Sequence, residues 1–163
     1  MAKRDELVLD HGSIVPIERL GLGGLPIVPL IVNALVSPMP TLGRCRQVGD
    51  VLGEALARNT SRVALVAAGG LSHWPGMAEA GLMSPGWDRA VLAGLRDGDR
   101  EVLWDPPREG LEEAGPGAAE IRAWAVVGAA TPPARAEVLA YEPVDEWATG
   151  CAVVDLLPGR DGA

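Results

Sequence analysis

The chain of 163 residues has no phenylalanine, one tyrosine, two cysteines and two histidines. Cys45 and Cys151 lie far apart and lack metal-type spacing. That rules out a thiolate cage and the disulfide framework of a small secreted domain, so both read as reduced, buried thiols of a cytoplasmic protein. No apolar run reaches the roughly 18 residues of a membrane span. The segment Met1-Ala2-Lys3-Arg4-Asp5-Glu6 is too charged for the apolar core of a signal peptide. Lys3 is the only lysine and the formal charge is −8, which argues against a nucleic-acid partner. An apolar content of 48% is that of a globular rather than a disordered chain. The abundance of Gly, Ala and Pro reads as compositional bias and long loops. Nothing divides the chain, so residues 1–163 are expected to form a single domain with a flexible tail at 159–163.

What is present is a pattern of apolar segments and glycines. Pro26 to Asn33 and Arg62 to Ala68 are continuous apolar runs and predict buried strands, the two prolines of the first also fitting an edge or irregular position. Between them Val48, Val51, Leu52, Ala55 and Leu56 recur at three and four residues, which predicts a helix over Thr41–Arg58 with Thr41 as its cap. Strand, helix, strand in that order predicts a right-handed crossover between parallel neighbours. Ser84-Pro85 opens another helix ending near Arg96. The acidic stretch Glu101–Gly115 reads as a lid-like loop or a short helix. Gly117–Ala129 predicts a helix, and Ala136–Tyr141 and Ala152–Leu157 predict closing strands. The expected fold class is α/β, a sheet of mostly parallel strands with flanking helices. Gly21-Leu22-Gly23-Gly24 precedes a strand rather than a helix, so it reads as a turn and not as a phosphate loop.

The most informative segment is Val63 to Gly76, in which an apolar run ends in Gly69-Gly70 and is followed by Leu71-Ser72-His73-Trp74. Glycines at a strand end let the backbone turn and approach a ligand. His73 is thus expected on a loop at the carboxyl edge of the sheet, where open α/β folds bind ligands. An imidazole titrates near neutral pH and can move protons there. Trp74 follows directly and can wall an aromatic pocket. The second histidine lies in Asp10-His11-Gly12, where Asp10 either orients His11 or caps a turn. Trp124 either walls a pocket or fills the core, and Trp87, Trp104 and Trp147 read as core or lid packing. The Ser72–His73 adjacency is not a hydrolase signature, because no Gly-x-Ser-x-Gly elbow is present.

Taken in order, Asp10-His11-Gly12, Pro26-Ile27-Val28-Pro29, Gly69-Gly70-Leu71-Ser72-His73 and Gly117-Ala118-Ala119-Glu120-Ile121-Arg122-Ala123-Trp124 resemble the class III extradiol ring-cleavage dioxygenases. These are typified by the beta subunit of protocatechuate 4,5-dioxygenase. Tyr141-Glu142-Pro143 with Thr149-Gly150 is a weaker further match. The resemblance implies an iron(II) enzyme whose metal is held by two histidines and a glutamate. It places Glu120 as the carboxylate ligand, His73 as the catalytic acid/base, and His11 as a second active-site histidine that binds or polarises substrate. Asp10, Ser72, Trp74 and Trp124 are then candidates for substrate contact. The two ligand histidines have no counterpart here, so the chain resembles the carboxyl-terminal half of the family's domain.

Three functions stay open at this point. The chain could be a dioxygenase subunit that acts on a catechol-like aromatic substrate and takes two iron-ligand histidines from a partner chain carrying the other half. It could be a metal-free acid–base enzyme using the His11/His73 pocket on a phenolic or carboxylated substrate, or, as a variant, bind a metal through His11, His73 and Glu120 themselves. It could be a non-catalytic binding or regulatory subunit. The first is favoured, with tight iron binding by the isolated chain not expected. Half a domain leaves apolar sheet edges open, so a homo-oligomer or a hetero-oligomer with an amino-terminal-half chain is expected.

Overall fold

Local sequence signals set most of the helices. In the computed structural model, which describes residues 8–76, 81–131 and 134–158, contacts group the chain into two units that divide after Ile31. The expected tail, 159–163, lies outside the described residues. In the first unit Asp10 caps helix α1 (His11–Arg19), its Oδ1 accepting from the Ser13 N–H at 3.1 Å. The helix itself was not expected, because Pro16 lies inside it and removes a backbone donor. Gly21, at φ 67°, turns the chain after α1.

In the second unit, α2 (Leu42–Ala57) starts where Thr41 Oγ1 accepts from the Arg44 N–H at 3.1 Å. Its partner is α5 (Ile121–Ala130). The two helices meet through small residues: a Cβ on Gly49 would strike the Val126 carbonyl oxygen, and one on Gly53 would lie 2.8 Å from the Ala130 carbonyl oxygen. Helix α3 (Pro85–Arg96) has Pro85 in its first turn and buries Trp87, Val91, Leu92 and Leu95. A 3₁₀ turn (Arg100–Leu103), a one-turn helix α4 (Leu111–Ala114) and a second 3₁₀ turn (Pro116–Glu120) lead into α5. Both cysteines are free, and Cys45 is buried. Trp87 is core, as expected, whereas Trp147 is exposed rather than packed. No helix among the described residues is long and apolar enough to cross a membrane.

The sheet departs from expectation. Among the described residues it has two strands, β1 (Ala134–Val144) and β2 (Thr149–Pro158), and they pair antiparallel. Neither Pro26–Asn33 nor Arg62–Ala68 carries a strand ladder or a helix. A continuous apolar run signals burial but does not supply the neighbouring backbone that a ladder requires. Val63 and Val66 are accordingly about half exposed, at 51% and 49%.

The β1–β2 register shifts between Val138 and Ala140, leaving Leu139 without a partner. The extra residue changes which alternate side chains face inward. Ala136 and Val138 face the core before the bulge and Tyr141 faces it afterwards, opposite Ala152, Val154 and Leu156 on β2. Without the bulge Tyr141 would point away from α3.

The α2–α5 contact gives a stability prediction. Gly49→Ala should lower the unfolding free energy by about 1–3 kcal/mol, because the added methyl overpacks a backbone contact. Gly43→Ala, whose Cβ meets only Thr41 Oγ1 at 4.0 Å, should be neutral or gain up to about 1 kcal/mol from helix propensity. Urea midpoints of the two variants check this, and equal effects would contradict the packing.

Candidate active site

The Gly69–His73 segment is held on two sides. The Leu71 N–H donates to the Gly150 carbonyl at 3.0 Å, and the Gly150 N–H returns a bond to the Ser72 carbonyl at 3.0 Å. His73 forms an isolated antiparallel bridge with Thr149. On the other side the His73 N–H donates to the Ala114 carbonyl at 2.9 Å, and the Gly117 N–H donates to the His73 carbonyl at 3.0 Å. The histidine backbone is therefore wedged between the start of β2 and the 3₁₀ turn that precedes α5.

The ring is fixed as tightly as the backbone. His73 Nδ1 lies 3.1 Å from the Leu71 carbonyl oxygen. A carbonyl can only accept, so Nδ1 carries the hydrogen and the neutral ring keeps its lone pair on Nε2. Nε2 faces Glu120 Oε1 at 3.9 Å. Glu120 is fixed in turn: the Gly70 N–H donates to its Oε2 at 2.7 Å. Gly117 lies against the imidazole, and a Cβ there would overlap the ring. The His73 side chain is 16% exposed and that of Glu120 39%, so the corner opens on the carboxylate side.

Of the other candidates, Trp124 donates its indole N–H to the Gly69 carbonyl at 3.3 Å, and Trp74 donates to the Glu113 carbonyl at 3.1 Å. Both rings are half-buried and secure the chain on either side of the histidine. Ser72 is fully buried. Its hydroxyl accepts from the Ser84 N–H at 2.8 Å and donates to Asp88 Oδ2 at 2.9 Å. The structure thus brings His73, Glu120, Ser72, Trp74 and Trp124 to one region. Asp10 and His11 belong to the first unit, at the start of α1.

Asp88 was missed. It is fully buried, and burial raises its pKa while hydrogen bonds from Ser72 and Tyr141 oppose the rise. Tyr141, which donates to Asp88 Oδ2 at 2.9 Å, has its phenol pKa raised by burial and by that bond. A signal was available: residues 88, 91, 92 and 95 fall at helical spacing on one face, and the last three are apolar and buried. A carboxylate on that stripe has to be met by donors.

The sequence matches the family described as catalytic LigB subunit of aromatic ring-opening dioxygenase over residues 1–152. The chain belongs to this family. Among its relatives, a 2,3-dihydroxyphenylpropionate/2,3-dihydroxicinnamic acid 1,2-dioxygenase of Paraburkholderia xenovorans is 31% identical over 188 aligned residues, 85% of this chain and 60% of the relative. A protein of the same name from Cupriavidus necator is 28% identical over 97% of this chain and 66% of its own length. The chain thus spans 60% of one relative and 66% of the other.

The iron(II) implied by the family resemblance needs a facial triad of donors. Among the described residues no three His, Cys, Asp or Glu side chains converge on one point. Glu120 and His73 offer one carboxylate and one imidazole, so these residues alone do not fit the metal. The chain purified by itself should carry well under one iron per molecule after anaerobic iron(II) loading and desalting. Elemental analysis checks this, and tight one-to-one iron would overturn it.

Proposed function

We propose that the chain is one part of an extradiol-type ring-cleaving dioxygenase acting on a catechol-like aromatic substrate. In this reading His73 is the proton-transfer residue, Glu120 the carboxylate facing the metal, and His11 a substrate-polarising group. The two further histidine ligands of iron(II) come from a partner chain that carries the rest of the domain. The observation that carries the reading is the seating of the His73 ring between the Leu71 carbonyl and Glu120. The ring Nδ1–H is tied to the Leu71 carbonyl, which leaves Nε2 as the free base facing Glu120 at 3.9 Å.

That arrangement suits a general base. A catechol hydroxyl brought within hydrogen-bond reach of Nε2 transfers its proton there, and the imidazolium formed keeps its Nδ1–H bond to Leu71. Substrate would enter from the exposed side of Glu120. The names of the relatives support a 2,3-dihydroxyphenyl compound with a carboxylated side chain as the substrate class. Trp74 and Trp124 support an aromatic occupant. Ser72, with its hydroxyl fully engaged, serves the site by holding the loop. The half-exposed valines of the 62–68 segment support a partner on that side.

Two outcomes test this reading. In the assembled enzyme His73→Ala should lower turnover of such a catechol by about 10²–10⁴-fold, the usual contribution of a positioned acid or base, with far-ultraviolet circular dichroism unchanged. His11→Ala should raise KM more than it lowers kcat. Wild-type turnover in folded His73→Ala would remove the reading and leave a binding subunit. Separately, native mass spectrometry of the chain alone should show a dimer or larger assembly. A stable monomer with an ordinary cooperative unfolding transition would argue against the need for a partner.

A further inference from the structure

We propose that Asp88 is the positioning residue of His73: through Ser72 and Tyr141 it clamps the 71–73 turn so that the Leu71 carbonyl stays on Nδ1 and Nε2 stays turned toward Glu120. The inference builds on the proposed role of His73 and extends it to a side chain that touches neither the imidazole nor Glu120.

The geometry is that of a clamp with every proton placed. The Ser72 N–H donates to Asp88 Oδ1 at 2.8 Å. The Ser84 N–H donates to Ser72 Oγ at 2.8 Å, so that hydroxyl sends its own hydrogen to Asp88 Oδ2 at 2.9 Å. Tyr141 donates to the same oxygen at 2.9 Å. Three hydrogens from three sides thus converge on one buried carboxylate, and two of them come from the residue between Leu71 and His73. Gly150 closes the fourth side: a Cβ there would collide with Asp88 Oδ2. Gly150 is also the residue that exchanges backbone bonds with Leu71 and Ser72. Helix α3, both strands and the histidine loop are therefore joined through a single side chain. Arg89 lies over the Tyr141 ring, 5.6 Å from its centroid.

Asparagine is nearly isosteric with aspartate but cannot reproduce this pattern. Its oxygen can still accept from the Ser72 N–H. Its amide then faces two hydroxyl hydrogens, and both hydrogens must turn away from it. The two hydroxyl oxygens can accept from that amide only by giving up their charge-assisted bonds and leaving their own buried hydrogens without an acceptor, which weakens the hold on the 71–73 turn.

The test reads the histidine ring directly. With two histidines in the chain, long-range ¹H–¹⁵N spectra of the full-length protein at about pH 8.5, above the ordinary imidazole range, give separable ring signals, assigned with His11→Gln. Wild-type His73 should show one tautomer with the hydrogen on Nδ1. Asp88→Asn, with unchanged circular dichroism, should move both ring nitrogens toward the averaged shifts of a free imidazole. In the assembled enzyme it should lower kcat by about 10–100-fold, the size of effect seen when an orienting partner is lost, with KM within about twofold. A fixed Nδ1–H tautomer in folded Asp88→Asn overturns the proposal. Should that variant not fold, Ser72→Ala, which removes only the hydroxyl arm, decides: a released tautomer supports the clamp and an unchanged one overturns it. The ring signal does not depend on turnover. A released tautomer combined with full activity of His73→Ala would keep the clamp and reject the acid–base role.

Discussion

A carboxylate shut off from water has to be met by hydrogen-bond donors, or it gives up its charge. Asp88 is met by the Ser72 amide, the Ser72 hydroxyl and the Tyr141 phenol. Losing a partner of such a group leaves a buried polar atom unsatisfied, at a cost of about 1–3 kcal/mol or more. That cost holds together parts of the chain that have little else in common. The bulge at Leu139 exists in a place that turns Tyr141 inward. Glycine stands at position 150 because the carboxylate leaves no room for a side chain. Ser84, just ahead of α3, gives its amide to the same cluster.

From that anchor the chemistry follows in short steps. The Ser72 backbone sets the direction of the residues on either side, so the Leu71 carbonyl is where Nδ1 of His73 finds it. The neutral ring then keeps its hydrogen on Nδ1, with Nε2 3.9 Å from Glu120 Oε1. Gly117, pressed against the imidazole, and Gly69, where a Cβ would lie 2.9 Å from Glu120 Cβ, are small for the same reason: each lets backbone come close to a side chain of the site. On the proposed reading the family membership supports the reaction class, and the geometry supports His73 as the base.

The sequence carried some of this openly. Thr41 and the apolar spacing from Val48 to Leu56 marked α2, and Ser84-Pro85 marked α3, because caps and helical periodicity are local signals. The closing strands at Ala136–Tyr141 and Ala152–Leu157 were legible for a similar reason. Among the described residues no strands pair in parallel. The runs at 26–33 and 62–68 were read as paired strands, yet pairing depends on a neighbour that a single segment cannot specify. Helix α1 was hidden by Pro16, and Trp147 by the assumption that a large indole is packed. At the site, the segment from Gly69 to Trp74 and Glu120 were found through their motifs and do meet. Asp88 was passed over because an acid in the first turn of a helix normally faces water. Its place on the stripe of Val91, Leu92 and Leu95 was the contrary sign.

The most direct measurement follows the His73 ring while a 2,3-dihydroxyphenyl compound is titrated into the ¹⁵N-labelled, assembled enzyme. With a catechol hydroxyl against the free nitrogen, the Nε2 resonance should move in step with saturation while Nδ1, tied to Leu71, stays nearly in place. Saturable binding that leaves Nε2 unmoved would contradict a catalytic His73.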